Sequence, residues 1–262
     1  MKKRIGKSEL KQIQLEILKS IDDFCRSNNL KYFLAYGTLL GAVRHKGYIP
    51  WDDDIDILMF REDYEKFISM YKDKNYKVFS TELERKYPYP FVKVGDTRTY
   101  FEEEIKDSID TGVNIDIFPM DYLPKDKINS LRKKRDFLEK IWTLKRLPRL
   151  KRRGVLKNLI LSITQLLLSL TSVHSIVREL ENNAKKYKLK ESSICGNIAF
   201  GGASDIYQSS WFYDQIELLF EGYTFPCPKE YNNVLNVMYG DYMKLPPKEK
   251  QVSHHHFIAY WK

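Results

Sequence analysis

Four carboxylates crowd into five residues at Asp52, Asp53, Asp54 and Asp56, and a fifth, Asp116, sits in the apolar run Val113-Asn114-Ile115-Asp116-Ile117-Phe118. Side chains alternate along a strand, so Asp54 and Asp56 project from one face while Ile55 and Ile57 project from the other. Unpaired carboxylates side by side on a half-buried strand repel one another and lose hydration. A divalent cation shared between them removes that conflict, and Mg²⁺ is commonly held by one or two carboxylates together with substrate phosphates. Asp116 lies opposite Ile115 and Ile117 on its own strand and can bring a third carboxylate to the same ion. The competing reading of the Asp-Asp-Asp run is a solvated acidic turn.

Elements must bring these groups together. Phe33-Leu34-Ala35-Tyr36 reads as a short strand ending in Gly37-Thr38, with a helical run from Leu39 to Val43 behind it. Glycine permits close backbone approach to a phosphate, Thr38 and nearby N–H groups can donate to it, and the helix N-terminus favours an anion. Arg44 lies between this turn and the aspartates and either forks onto a phosphate or pairs with an aspartate. Trp51 is suited to stacking on a base, to shielding a quaternary ammonium, or to core packing. The strand Phe91 to Asp96 and the turn after it offer Lys93 and Arg98 to phosphates, if they share the acidic sheet. Pairing of these cations with Glu102 to Glu104 is the alternative. Further helices are expected from Ser8 to Asn28 and from Glu62 to Lys74, and a strand at Tyr76–Phe79.

A strand, a Gly-Thr turn, a short helix, Asp-Ile-Asp-Ile on a second strand and a lone aspartate on a third resembles the nucleotidyltransferase plan. The run Tyr-Gly-Thr-Leu-Leu-Gly-Ala-Val-Arg-His-Lys-Gly-Tyr-Ile-Pro-Trp-Asp-Asp-Asp-Ile-Asp (36–56) strongly resembles the LicD family. Residues 91–120 and the stretch from Tyr239-Gly240-Asp241-Tyr242-Met243 to His254-His255-His256 are also similar to it, whereas 125–190 resembles it only weakly. The resemblance implies an α+β fold, a nucleotidyltransferase-like mixed sheet flanked by helices with an added helical segment. It also implies phosphocholine transfer from CDP-choline, or a related CDP-alcohol, to a sugar hydroxyl of a glycan such as teichoic acid or lipopolysaccharide, with release of CMP. Mg²⁺ (or Mn²⁺) would sit on Asp54, Asp56 and Asp116, Gly37, Thr38 and Arg44 would cradle the diphosphate, and Asp116 is a candidate base. His254–His256 are poorly disposed to share one zinc; in this family they would line the site, with His256 contacting phosphate or moving a proton.

The chain's 262 residues, 43% of them hydrophobic, suffice for one sizeable core with an appendage. The expected division is a core over 1–124, a basic and amphipathic segment over 125–190, and a C-terminal part over 191–262 that completes the site. Cys25, Cys195 and Cys227 are scattered, and no apolar stretch follows the basic start, so a reducing cytoplasm is expected. The net charge of +9 calls for an anionic partner. No nucleic-acid motif is present, leaving a nucleotide donor, a lipid-linked acceptor or a membrane surface. Cations from Lys145 to Lys157 precede an amphipathic stretch, Leu156 to Leu170, that is too interrupted for a ~20-residue span. It fits peripheral contact with the inner face of the cell membrane, or a core helix under a basic surface. Trp211, Phe212, Tyr213, Phe220, Tyr223 and Phe225 could cage a choline or form core. Competing functions are an NTP-dependent nucleotidyltransferase, a non-catalytic membrane-associated binding module, and a metal-dependent glycosyltransferase, whose Asp-x-Asp lacks the Gly-Thr turn.

Overall fold

The structure is a computed structural model and describes residues 3–103, 107–148, 154–202, 204–253 and 257–262. It opens with helix α1, Lys7–Ser27, whose Leu10, Ile13, Ile17 and Ile21 recur at helical spacing and are all buried. Gly6, not Ser8, precedes the helix, and Asn29 turns the chain out of it at φ +53°. Two residues of strand follow (β1, Phe33–Leu34), then α2 (Tyr36–Arg44), β2 (Asp56–Phe60) and α3 (Arg61–Met70). The expected helix to Lys74 stops early, because Tyr71 has extended backbone.

The central sheet is ordered β1-β2-β6-β4-β3, with β3 at Tyr76–Phe79, β4 at Val92–Asp96 and β6 at Asn114–Tyr122. β2 and β6 run parallel, while β4 is antiparallel to both β6 and β3. Ile57, Met59, Val92, Val94, Ile115, Ile117 and Met120 are buried, and α1 and α3 pack against the sheet. Such a mixed sheet with helices is the α+β architecture expected. Two ribbons flank it: β5 (Thr99–Glu103) pairs with β11 (Phe257–Trp261), and β9 (Gln215–Phe220) pairs with β10 (Tyr223–Pro228). Of the aromatic group near 211–225, Phe212, Phe220 and Phe225 are core, whereas Tyr213 and Tyr223 are exposed.

β6 extends past the site, where Asp121 and Tyr122 pair with β7 (Ile194–Gly196), itself paired with β8 (Ile206–Gln208). Between them come α4 (Ile128–Arg146), α5 (Val155–Leu167) with a 3-10 turn at Leu168–Leu170, and α6 (Val173–Ala184). A small second cluster joins Leu123 and Leu131 to Ala184, Ile198 and Ala199. Helices α4 and α6 are thus tied to the C-terminal part by a shared core. Helix α7, Tyr231–Tyr239, ends at Gly240, whose φ of +65° turns the chain sharply.

Candidate active site

Three adjacent strands line up three charged side chains. Asp56 is level with Asp116 across the β2–β6 pair, and Asp116 is level with Lys93 across the β6–β4 pair. Side chains level with one another on neighbouring strands share a face, so Asp56, Asp116 and Lys93 form a row. Lys93 Nζ donates to Asp116 Oδ1 at 2.6 Å and to Asn114 Oδ1 at 3.1 Å. Asp54 belongs to the lead-in, since the strand proper begins only at Asp56.

The start of α2 holds the acidic strand in place. Ala35 N–H donates to Asp56 O at 3.0 Å, Asp56 N–H donates to Thr38 Oγ1 at 2.9 Å, and Asp116 N–H donates to Ile55 O at 3.0 Å. The helix begins at Tyr36, three residues before the expected start, so Gly37 and Thr38 lie within its first turn. Thr38 is buried and braces Asp56, a role different from the expected phosphate donor. Gly37 has a specific steric duty: a Cβ there would overlap Asp52 Oδ2. The Asp52 carboxylate therefore stands beside the N-terminal turn of α2, where the dipole and unpaired N–H groups favour an anion.

Electrostatics at Asp56 favour a bound cation. Its carboxyl is pushed well above the usual carboxylate range, first by burial and then by Asp54, Asp116 and Asp52, with Lys93 opposing. Asp52, Asp53 and Asp54 can each offer an oxygen within 4.8 Å of the others. An all-carboxylate donor set of this kind fits a hard divalent cation such as Mg²⁺ or Mn²⁺. Asp53 has structural partners as well: its Oδ2 accepts from Ser253 Oγ at 2.6 Å, and its carbonyl accepts from Gln14 Nε2 at 3.0 Å. Gln14 Nε2 also reaches Asn114 O at 3.3 Å, tying α1 to both acidic segments.

A second layer lies behind α2. Tyr36 adopts φ +47°, unusual for an aromatic residue, and its hydroxyl accepts from Asn197 Nδ2 at 3.1 Å. Burial, reinforced by Asp205, raises the Tyr36 hydroxyl well above its ordinary value. Asp205 is buried, takes hydrogen bonds from Gly202 N–H and the Tyr207 hydroxyl, and is itself raised by burial. Tyr239, at the end of α7, feels the same charges, its hydroxyl raised first by burial and then by Asp56, Asp52, Asp205 and Asp54.

Of the residues singled out from sequence, Asp56, Asp116 and Lys93 share one row, Thr38 braces Asp56, Gly37 abuts Asp52, and Asp54 acts on Asp56 through its charge. Among the described residues, the carboxylates whose oxygens lie within 4.8 Å of one another are Asp52, Asp53 and Asp54. Arg98 stands apart. It pairs with Asp96 through Nε at 2.9 Å and Nη2 at 2.6 Å, between the rings of Tyr76 and Trp261. Asp96 lies three residues beyond Lys93 on β4, about 10 Å at ~3.3 Å per residue, so its partner faces away from the aspartates. Arg44 sits at the far end of α2, where Nη1 donates to Tyr242 O at 2.7 Å. It clamps the Tyr239–Tyr242 turn to α2. Trp51 is half-buried, packs on the core and meets His45 edge-on at 6.3 Å. His256, with His254 and His255, lies outside the described residues. Gln14 and Tyr239 carry no local signal of a site, because only tertiary packing brings them to the aspartates; Asp205 reaches them only through Tyr36 and Tyr239.

Residues 29–150 match the family model described as the LicD/FKTN/FKRP nucleotidyltransferase domain. Over 97% of its length the chain is 31% identical to the lipopolysaccharide cholinephosphotransferase LicD of Haemophilus influenzae, covering 98% of that protein. The chain belongs to the LicD family. Shorter stretches resemble uncharacterized proteins of Rickettsia typhi, at 40% identity over 29% of this chain and 26% of the relative, and of Rickettsia prowazekii, at 50% over 22% and 21%. The family model ends at residue 150, whereas the full-length LicD relative also spans α5–α7, Tyr239 and Asp205.

Proposed function

We propose that this LicD-family protein transfers phosphocholine, or a closely related phospho-alcohol, from a CDP-linked donor to a sugar hydroxyl of a cell-surface glycan precursor. The observation that carries the proposal is the level placement of Asp56 and Asp116 on neighbouring parallel strands, with Asp54 two residues before. The name of the Haemophilus relative supplies phosphocholine as the group.

Asp54, Asp56 and Asp116 would hold Mg²⁺ or Mn²⁺, with Asp52 completing the acidic cluster. Such an ion, when bound, neutralises charge on the transferring phosphate. Lys93 occupies one oxygen of Asp116 and fixes its orientation. The other oxygen remains for an ion or for the acceptor's proton. Gly37 and the N-terminal turn of α2 offer N–H groups to the donor diphosphate. The acceptor hydroxyl oxygen bonds to the choline-bearing phosphorus as the bond from that phosphorus to the bridging oxygen breaks. CMP leaves with the bonding electrons, and the hydroxyl proton passes to a carboxylate.

The test is incubation of the protein with Mg²⁺, a sugar acceptor and a panel of CDP-alcohols, followed by analysis for CMP. CMP formation with CDP-choline supports the proposal. The word nucleotidyltransferase in the family description favours one competitor, transfer of a nucleotide from an NTP. Pyrophosphate release from CTP or another NTP, with CDP-choline untouched, would establish that competitor instead.

A further inference from the structure

Helix α5 buries one face against α4 and leaves the opposite one uncovered. Leu161 alone of its residues is buried, and Gln165 Nε2 donates to Leu144 O and Leu147 O, both at 2.9 Å. Away from that contact, Val155, Leu156, Leu159, Ile160, Ile163, Leu166, Leu167 and Leu170 are all exposed, from 51% at Ile163 to 96% at Leu170. At about 100° per residue the seven of these on α5 fall within an arc of about 140°. Soluble proteins rarely expose a contiguous aliphatic strip of this kind without a partner.

The charge distribution says what covers it. From Lys140 to Arg178 the chain carries nine Lys and Arg residues and no Asp or Glu. The remainder holds 35 of each sign, so the whole net charge of +9 resides in the segment that contains the uncovered helix. An aliphatic strip within an exclusively cationic stretch complements an anionic lipid surface. A second copy of the same face would meet it with like charge. No single helix among the described residues is long and apolar enough to cross a membrane. The bend of 72° between α5 and α6, and the burial of Ile176, Val177 and Leu180 on α6, leave only α5 open.

The strip is also coupled to the acidic site. Lys145 Nζ donates to Leu168 O at 2.6 Å, and the Arg146 guanidinium lies 4.4 Å from the Tyr89 ring and 4.5 Å from that of Trp142. The Tyr89 ring in turn lies 5.2 Å from Lys93 Nζ, which binds Asp116. We infer that α5 docks the protein flat on a membrane surface rich in anionic lipid, with its apolar face in the headgroup–acyl boundary. Docking there would hold the carboxylates near an acceptor carried on lipid. The surface itself stands whether or not the donor is CDP-choline.

Sedimentation with vesicles tests this without any activity assay. The full chain should pellet with vesicles of equimolar phosphatidylglycerol and phosphatidylcholine, and much less with phosphatidylcholine alone. Leu159→Asp/Ile163→Asp should lower binding to the mixed vesicles more than about tenfold while circular dichroism and melting temperature stay unchanged. Leu166→Trp supplies a second readout, a blue shift in emission beyond that of wild type when mixed vesicles are added. Equal pelleting of wild type and double variant, absence of binding to the mixed vesicles, or no added blue shift from Leu166→Trp would overturn the inference. So would a wild-type dimer that the double variant converts to monomer, since a second copy would then cover the face.

Discussion

At the residue scale the decisive group is Asp56, a half-buried carboxylate whose charge is opposed by burial and by Asp54, Asp116 and Asp52. Its folded-state carboxyl is raised above the unfolded value, so between those values the folded chain binds more protons and loses stability as pH rises. In metal-free protein, Asp56→Asn should therefore match wild type near pH 4 and melt progressively higher than wild type as pH increases. Mg²⁺ should then raise the wild-type melting temperature and leave the variant unmoved. A gap between the two that is constant with pH would contradict this. Gly37→Ala sets two effects against each other: alanine gains roughly 1 kcal/mol of helix propensity, but its Cβ invades Asp52. Overpacking of about 1–3 kcal/mol cancels or exceeds that gain, so turnover should fall about tenfold or more with little change in melting temperature. Thr38→Val removes the acceptor of the Asp56 N–H and should cost about 1–3 kcal/mol by denaturant titration, whereas Thr38→Ser should retain most of it.

Much of this was legible in residues alone. Asp56 and Asp116 come level because each sits in a short apolar strand, whereas Asp54 precedes its strand, so alternation does not govern it. Lys93 followed because a strand next to the acidic one brings its cation into line. Arg98 failed because a partner two residues back, Asp96, captures it before it can reach the site. Gln14 and Tyr239 could not be found locally: Gln14 is 39 residues from Asp53 and 100 from Asn114 along the chain, and each pairing depends on helix packing.

At the element scale, the β2–α3 corner and the far end of β6 are locked by Arg61 and Asp121. Their contacts are 2.8 and 2.6 Å with both groups nearly dry. Breaking one side of such a pair strands a buried charge, so Asp121→Asn should destabilise by about 3–5 kcal/mol. Denaturant unfolding checks it, and a loss under about 1 kcal/mol would show the pair to be a surface-like contact. Element types were readable from periodicity, but their ends were not. The α2 start lies earlier than the apolar run suggests because Leu39 N–H already bonds back to Ala35 O, and Tyr36 there carries a left-handed backbone angle whose cost the packing around Asn197 and Asp205 over-determines. The stripe of α5 was equally plain in sequence, yet only the fold shows that α4 takes the polar face and leaves the apolar one open.

At the scale of the molecule, two separated segments converge on one row of carboxylates, and a third region carrying all the net charge is bolted beside them. An ion held by Asp56 and Asp116 would bridge both segments, and binding of Mn²⁺ followed by electron paramagnetic resonance tests this most directly. Wild type should bind the ion, and Asp56→Asn and Asp116→Asn should each weaken binding at least about tenfold while remaining folded. Undiminished affinity in Asp116→Asn would mean that Asp52, Asp53 and Asp54 hold the ion alone, and that β6 has no part in the metal site.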